Sequence, residues 1–153
     1  MTPPMVDPLR DAAVCRTLYL FAQGIDLREW DTLRSVLADE VTIDYTSYRG
    51  GEPVVMAAQD WIGKARRRFA TMTATQHSMT NPRVDGTGEQ VTCRMYVEAH
   101  HVAVIDGTEE SCRIGGEYVD ELHLIEGDWL ITTLRLDVRW FQGNRAVLDL
   151  PTN

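Results

Sequence analysis

Apolar residues recur at helical spacing in the first third of the chain, where Val14, Leu18, Phe21, Ala22 and Ile25 share one face of a 3.6-residue repeat. Asp7-Pro8 supplies a cap followed by a first-turn proline, and Gly24 is expected to close this helix. Asp26-Leu27-Arg28-Glu29 has capping-box spacing and predicts a second helix, with Asp26 as its N-cap, carrying Trp30, Leu33, Val36 and Leu37. The period then changes to two. Val41, Ile43 and Tyr45 alternate with Thr42, Asp44 and Thr46, a strand with Tyr45 on its apolar face. Beyond a loop at Gly50-Gly51-Glu52-Pro53, Ala57–Met72 reads as a third helix. Trp61, Ile62, Ala65 and Phe69 point inward, and the Lys64–Arg68 run is a solvated side.

From Thr75 onward the chain is strand-like, over Thr75–Pro82, Gln90–Ile105, Ser111–Ile125 and Trp129–Trp140. The stretches between them, such as Asp106-Gly107-Thr108 and Glu126-Gly127-Asp128, suit hairpin connections. Three helices followed by a long meander predict an α+β fold, the helices packed on one face of a strongly curved mixed or antiparallel sheet. A sheet bent around helices encloses an apolar pocket suited to a small ligand.

Length and composition sharpen this picture. With 153 residues, 44% of them apolar, a single domain over residues 1–153 has enough side chains for a core. The net charge of −8 argues against nucleic acid or an anionic membrane as partner. The longest apolar candidate, Met95–Ile105, is broken by Glu98, His100 and His101, so no membrane span is expected. Met1–Pro8 has neither the basic nor the apolar region of a secretory leader, and Cys15, Cys93 and Cys112 form no CxxC. Reduced thiols and a cytoplasmic location are the expectation.

Removing a proton beside a carbonyl needs a base, a group that orients it and a donor for the developing enolate. His77 lies in the first of the late strand-like stretches, with Thr75, Met79 and Asn81 on its own side. Asp26 can cap a helix and also accept an imidazole N–H. Tyr45 is either a core tyrosine or a phenol at the end of an inward face. His100 and His101 are adjacent, so only one of them can look into a pocket, and the pair offers no chelating geometry. Asp120 sits on an otherwise apolar face with Gly116, Tyr118, Leu122 and Leu124, where a carboxylate is either buried with partners or lines a cavity.

Four stretches, Asp26–Arg34, Val41–Tyr45, Thr75-Gln76-His77 and Leu136–Trp140, together resemble the scytalone dehydratase family, within the cone-shaped SnoaL-like and nuclear-transport-factor-2-like group. The resemblance runs from Leu18 to Gly143. It implies a cone-like α+β barrel and a dehydratase, without metal or organic cofactor, that eliminates water from a small hydroxylated cyclic ketone. By position, His77 is the implied base and acid, Asp26 the carboxylate orienting it, and Tyr45 the phenol polarising the carbonyl through a water. His100 is the implied second pocket histidine, favoured over His101. Ile25 stands where the family has another tyrosine, and Asp120 or Glu121 where it has an asparagine; strand parity favours Asp120. Ile25, Trp61, Asn81 and Asp120 are the candidate substrate-binding positions. A long C-terminal cover is not expected. An isomerase or cyclase on a polyketide- or steroid-like ketone, and a non-catalytic small-molecule-binding domain, are the alternatives. The expected partners are a small-molecule substrate and further copies of the chain, as a trimer or dimer.

Overall fold

The computed structural model describes residues 6–153; the leader reading at Met1–Pro8 falls mostly on positions outside them. Helix α1 (Pro8–Asp26) begins as its sequence dictates: Asp7 Oδ1 accepts the Arg10 amide at 3.1 Å, and Pro8 fills the first helical position. Val14, Leu18, Phe21, Ala22 and Ile25 are buried along one face. Gly24 does not close this helix. A Cβ there would stand 3.0 Å from Leu33 Cβ, so its bare backbone is what lets the next helix, α2 (Trp30–Ser35), cross closely.

The turn between them corrects the capping-box reading. Arg28 has φ +59°, the Glu29 amide donates to Gly24 O and the Arg28 amide to Ile25 O. That is a Schellman C-cap, with arginine in the left-handed position that glycine ordinarily takes. Asp26 therefore ends α1 instead of capping α2, whose N-cap is Glu29, and its carboxylate is free to point elsewhere.

Strand β1 (Leu37–Asp44) is followed by a short helix α3 (Thr46–Arg49), strand β2 (Val54–Ala57) and helix α4 (Ala58–Ala70). The short α3 and β2 have no periodic signature and were not expected. Strands β3 (Ala74–Asp85), β4 (Gln90–Ile105), β5 (Thr108–Ile125) and β6 (Asp128–Gly143) form the meander. Two-residue turns join the last three, Asp106-Gly107 and Glu126-Gly127, with positive φ at both positions as the twist of the strands requires. The sheet order is β2-β1-β6-β5-β4-β3, mixed because β1 runs parallel to β6. It is a curved open sheet in a cone, with four helices among the described residues where three were expected, and β2 and β3 at its edges.

Opposite Gly115 and Gly116, which pair with Trp140 and Val138, the extra residue Arg139 makes a bulge in β6. A Cβ on Gly116 would lie 2.1 Å from the Asp137 carbonyl oxygen, so only glycine permits this close approach. The concave face then packs Met95, Val97, Ile114, Leu122 and Leu134 against α1 and α4 as one core. After β6 a 3-10 turn (Arg145–Asp149) buries Val147 and Leu148, and this short segment reaches the mouth of the cone. No helix among the described residues is long and apolar enough to cross a membrane.

Candidate active site

Ending α1 at Asp26 places its carboxylate against β3. Asp26 Oδ1 accepts from His77 Nδ1 at 2.7 Å and from Thr75 Oγ1 at 3.0 Å, while Oδ2 accepts the His77 backbone amide at 2.7 Å. An ionised carboxylate only accepts, so the proton shared with Asp26 is carried on Nδ1, which leaves Nε2 as the ring's other end. The imidazole is 4% exposed and Asp26 15%, which makes this a buried, doubly gripped base. Burial pushes the Asp26 carboxyl up, but the His77 ring and amide and the Thr75 hydroxyl outweigh it and leave the group below its ordinary 3.8.

Arg28 supports the pair from behind. Its Nη1 donates to Thr75 Oγ1 at 2.8 Å and to Ile25 O at 2.6 Å, and its guanidinium lies 5.4 Å from the centre of the Phe69 ring. Phe69 in turn stands edge-on to His77 and parallel to His101, fixing both rings.

The second histidine of the cavity is His101. His100 projects from the opposite face of β4, exposed, because alternate residues of a strand face opposite ways and Val97 and Ala99 are the inward ones. His101 is buried, lies 5.7 Å from His77 between ring centres, and approaches the Cys112 carbonyl with Nδ1 at 3.3 Å. A carbonyl only accepts, so Nδ1 carries the proton and Nε2 is an acceptor. Burial, with the neighbouring His77 adding to it, pushes its pKa down to about 4, so the ring is neutral at pH 7.

Tyr45 falls one residue past β1, at the start of α3, and its side chain lines the cavity. Tyr118, on β5, lies beside it, and burial raises the pKa of both phenols, keeping them protonated donors. The Tyr118 side chain is a further phenol in the cavity, whose wall also includes Tyr48. The alternation along β5 placed it on the inward face, but no reading of the sequence made it a site residue.

Ile25 and Trp61 line the cavity. Asn81 does not: it sits at φ +54° in a bulge of β3, exposed, so the parity that put it beside His77 is broken between Thr80 and Arg83. Asp120 is fully buried, with Oδ1 accepting the Arg135 amide at 3.0 Å and Oδ2 without a partner among the described residues. It lies behind the Tyr45–Tyr118 pair, outside the cavity wall, and burial holds its carboxyl well above the ordinary range. Glu121 is exposed and accepts from Thr133. The Lys64–Arg68 run is only partly a solvated face. Arg66 is exposed over the Trp30 ring, whereas Lys64, Arg67 and Arg68 line the cavity. The cavity holds about 600 Å³, mid-range for sites that take drug-sized molecules. Among the described residues no cluster of three or more His, Cys, Asp or Glu side chains is placed to hold a metal ion.

Residues 9–135 match the family described as SnoaL-like domain. The chain belongs to that family. It is 30% identical to a dehydratase of Pestalotiopsis microspora, over 83% of this chain and 85% of that protein. It is 27% identical to the scytalone dehydratase of Pyricularia oryzae, over 80% of this chain and 76% of that protein. Among solved structures, a Kribbella flavida protein superposes with a TM-score of 0.86 at 25% identity, covering 94% of this chain and all of the other. A SnoaL-like cone with an apolar cavity, an acid–histidine pair and the phenols of Tyr45, Tyr48 and Tyr118 is thus the frame for function.

Proposed function

We propose that this SnoaL-like protein is a dehydratase that eliminates water from a small hydroxylated cyclic ketone by side-chain acid–base chemistry. The single observation that carries the reading is the Asp26–His77 pair, an imidazole oriented by a carboxylate at the wall of an apolar cavity. His77 Nε2 takes the proton α to the carbonyl, and the C–H electron pair moves into an enolate. Tyr45 and Tyr118 donate to the enolate oxygen, directly or through a water. Collapse of the enolate forms the C=C bond and expels the β-hydroxyl. His101, neutral and with its Nδ1 proton committed to Cys112, has no proton to give at pH 7, so it serves as an acceptor that holds a substrate hydroxyl. The proton that turns the leaving hydroxide into water therefore returns from His77, which makes the elimination syn. Asp26 offsets the charge that the ring carries between the two transfers.

The names of the relatives support dehydration over isomerisation. The test is to incubate the protein with scytalone or a related hydroxylated tetralone, following ultraviolet absorbance and the mass of the product. Loss of 18 mass units, abolished in His77→Ala while affinity is kept, is expected. A product of unchanged mass would favour an isomerase or cyclase, and binding with no reaction a ligand-binding domain. We further read the outer sheet face, which leaves Tyr96, Val104 and Trp140 exposed, as a surface for self-association into a trimer or dimer.

A further inference from the structure

The mouth of the cavity carries an excess of positive charge that the chemistry above does not use. On α4 the residues facing the cavity divide into two edges of one stripe: Trp61, Ala65 and Phe69 inward, and Lys64, Arg67 and Arg68 toward the opening. None of these three cations forms an ion pair among the described residues. Asp60, one turn before Lys64, is exposed and does not reach it within ion-pair distance. Arg68 spends one donor on the Leu150 carbonyl at 2.6 Å, and Lys64 and Arg67 have no side-chain hydrogen-bond partner among the described residues. Across the opening Arg49 is neutralised by Asp149 at 2.6 Å, and among the described residues Glu52 is the one carboxylate of the cavity wall at this end.

Two features separate this from an ordinary charged helix face. The protein as a whole carries −8, so three uncompensated cations on a single helix run against its charge balance. They also border a cavity whose interior is apolar, where charges act through a lower dielectric than at open surface. His77, with its ring 4% exposed, lies inside, and Lys64 and Arg67 lie at the exposed rim. A ligand spanning that distance would present its ketone to the tyrosines and its far end to the cations.

We propose that the ligand of this cavity is an acid: a cyclic hydroxyketone with a carboxylate at the end remote from the reacting carbon, received by Lys64 and Arg67 with Arg68 behind them. This rests on the cavity being the substrate site, and it narrows the substrate class from hydroxyketones to their carboxylated members. The carboxylate is also the group by which such substrates would be drawn into the cavity, at a rate sensitive to salt.

The test uses three probes of one ring size, naphthalene-2-carboxylate, 2-naphthylmethanol and 2-naphthylmethylammonium, titrated calorimetrically at pH 7.5 against wild type, Lys64→Met/Arg67→Met and Arg83→Met. Arg83 is exposed, paired with Asp85 and absent from the cavity wall, so its removal controls for net charge. The carboxylate is expected to bind best and the ammonium worst. The double variant should lose about tenfold for the carboxylate and less than about twofold for the alcohol. Arg83→Met should change neither, and raising salt from about 0.05 to 0.5 M should weaken only the carboxylate in wild type. The salt arm needs no variant to fold. Equal or better binding of the alcohol, an advantage that survives the double substitution, or no binding of any probe overturns the proposal. These readouts need no turnover, so if they fail while a hydroxytetralone is still dehydrated in a His77-dependent way, the acid preference falls and the dehydratase reading stands.

Discussion

At the scale of single residues, two buried carboxyls behave oppositely, and each gives a pH signature. Asp26 has a folded pKa below 3.8, so its stabilisation is complete above 3.8 and fades as pH falls through the lower folded value. Asp26→Asn should cost about 1–3 kcal/mol at pH 7, with the gap to wild type narrowing below about pH 4 in urea unfolding. Its kcat should fall about 10²–10⁴-fold, because the imidazole loses its orienting charge. Asp120 goes the other way, burial raising its folded pKa well above 3.8. It contributes least at high pH, because the unfolded chain releases its proton from about 3.8 upward and the folded chain does not. Asp120→Asn keeps the acceptor for the Arg135 amide and removes the proton linkage. The difference in stability between variant and wild type should therefore grow in the variant's favour from about pH 4 upward, by at most about 1.4 kcal/mol per pH unit. A difference that does not change with pH would mean that Asp120 is ionised in the folded state.

At the scale of elements, the periodic parts of the chain were legible and the turns that aim the site were not. Apolar repeats located α1, α4 and the four meander strands to within a few residues, because those elements bury one face against a common core. The Asp26–Glu29 turn misled. Its spacing suits a capping box, and what decides against that is a tertiary fact, the Arg28 guanidinium reaching Thr75 and Ile25 O and so compensating a left-handed arginine. The same limit applies to Asn81, whose parity is lost to a bulge, and to His100, where the resemblance favoured the outward-facing member of the pair. Tyr118 was visible only as an inward residue, since nothing local says that β5 passes Tyr45. The Arg28 turn gives a prediction of its own. Arg28→Ala should lose about 1–2 kcal/mol with the guanidinium's hydrogen bonds, whereas Arg28→Gly should lose about 1 kcal/mol less, because glycine adopts φ +59° without strain. Equal losses in thermal unfolding would show that the backbone there carries no strain.

At the scale of the whole molecule, the β6 bulge opposite Gly115-Gly116, the parallel β1–β6 pairing and the packing of α1 and α4 form a cone whose deep end holds phenols and imidazoles. The open end holds cations. This polarity of the cavity is a property of the fold that no single motif encodes, and it sets how a ligand would enter and which end would react. The central claim is that His77, oriented by Asp26, removes a proton α to a ketone in this cavity. Its most direct measurement uses a ketone with no leaving group, so that neither the natural substrate nor the elimination step matters. Proton NMR in deuterium oxide would follow exchange at the carbon next to the carbonyl of 1-tetralone. Wild type should exchange that position well above the buffer rate, and His77→Ala should be slower by about 10²–10⁴-fold. Undiminished exchange in His77→Ala, or none in wild type despite measurable tetralone binding, would contradict the account.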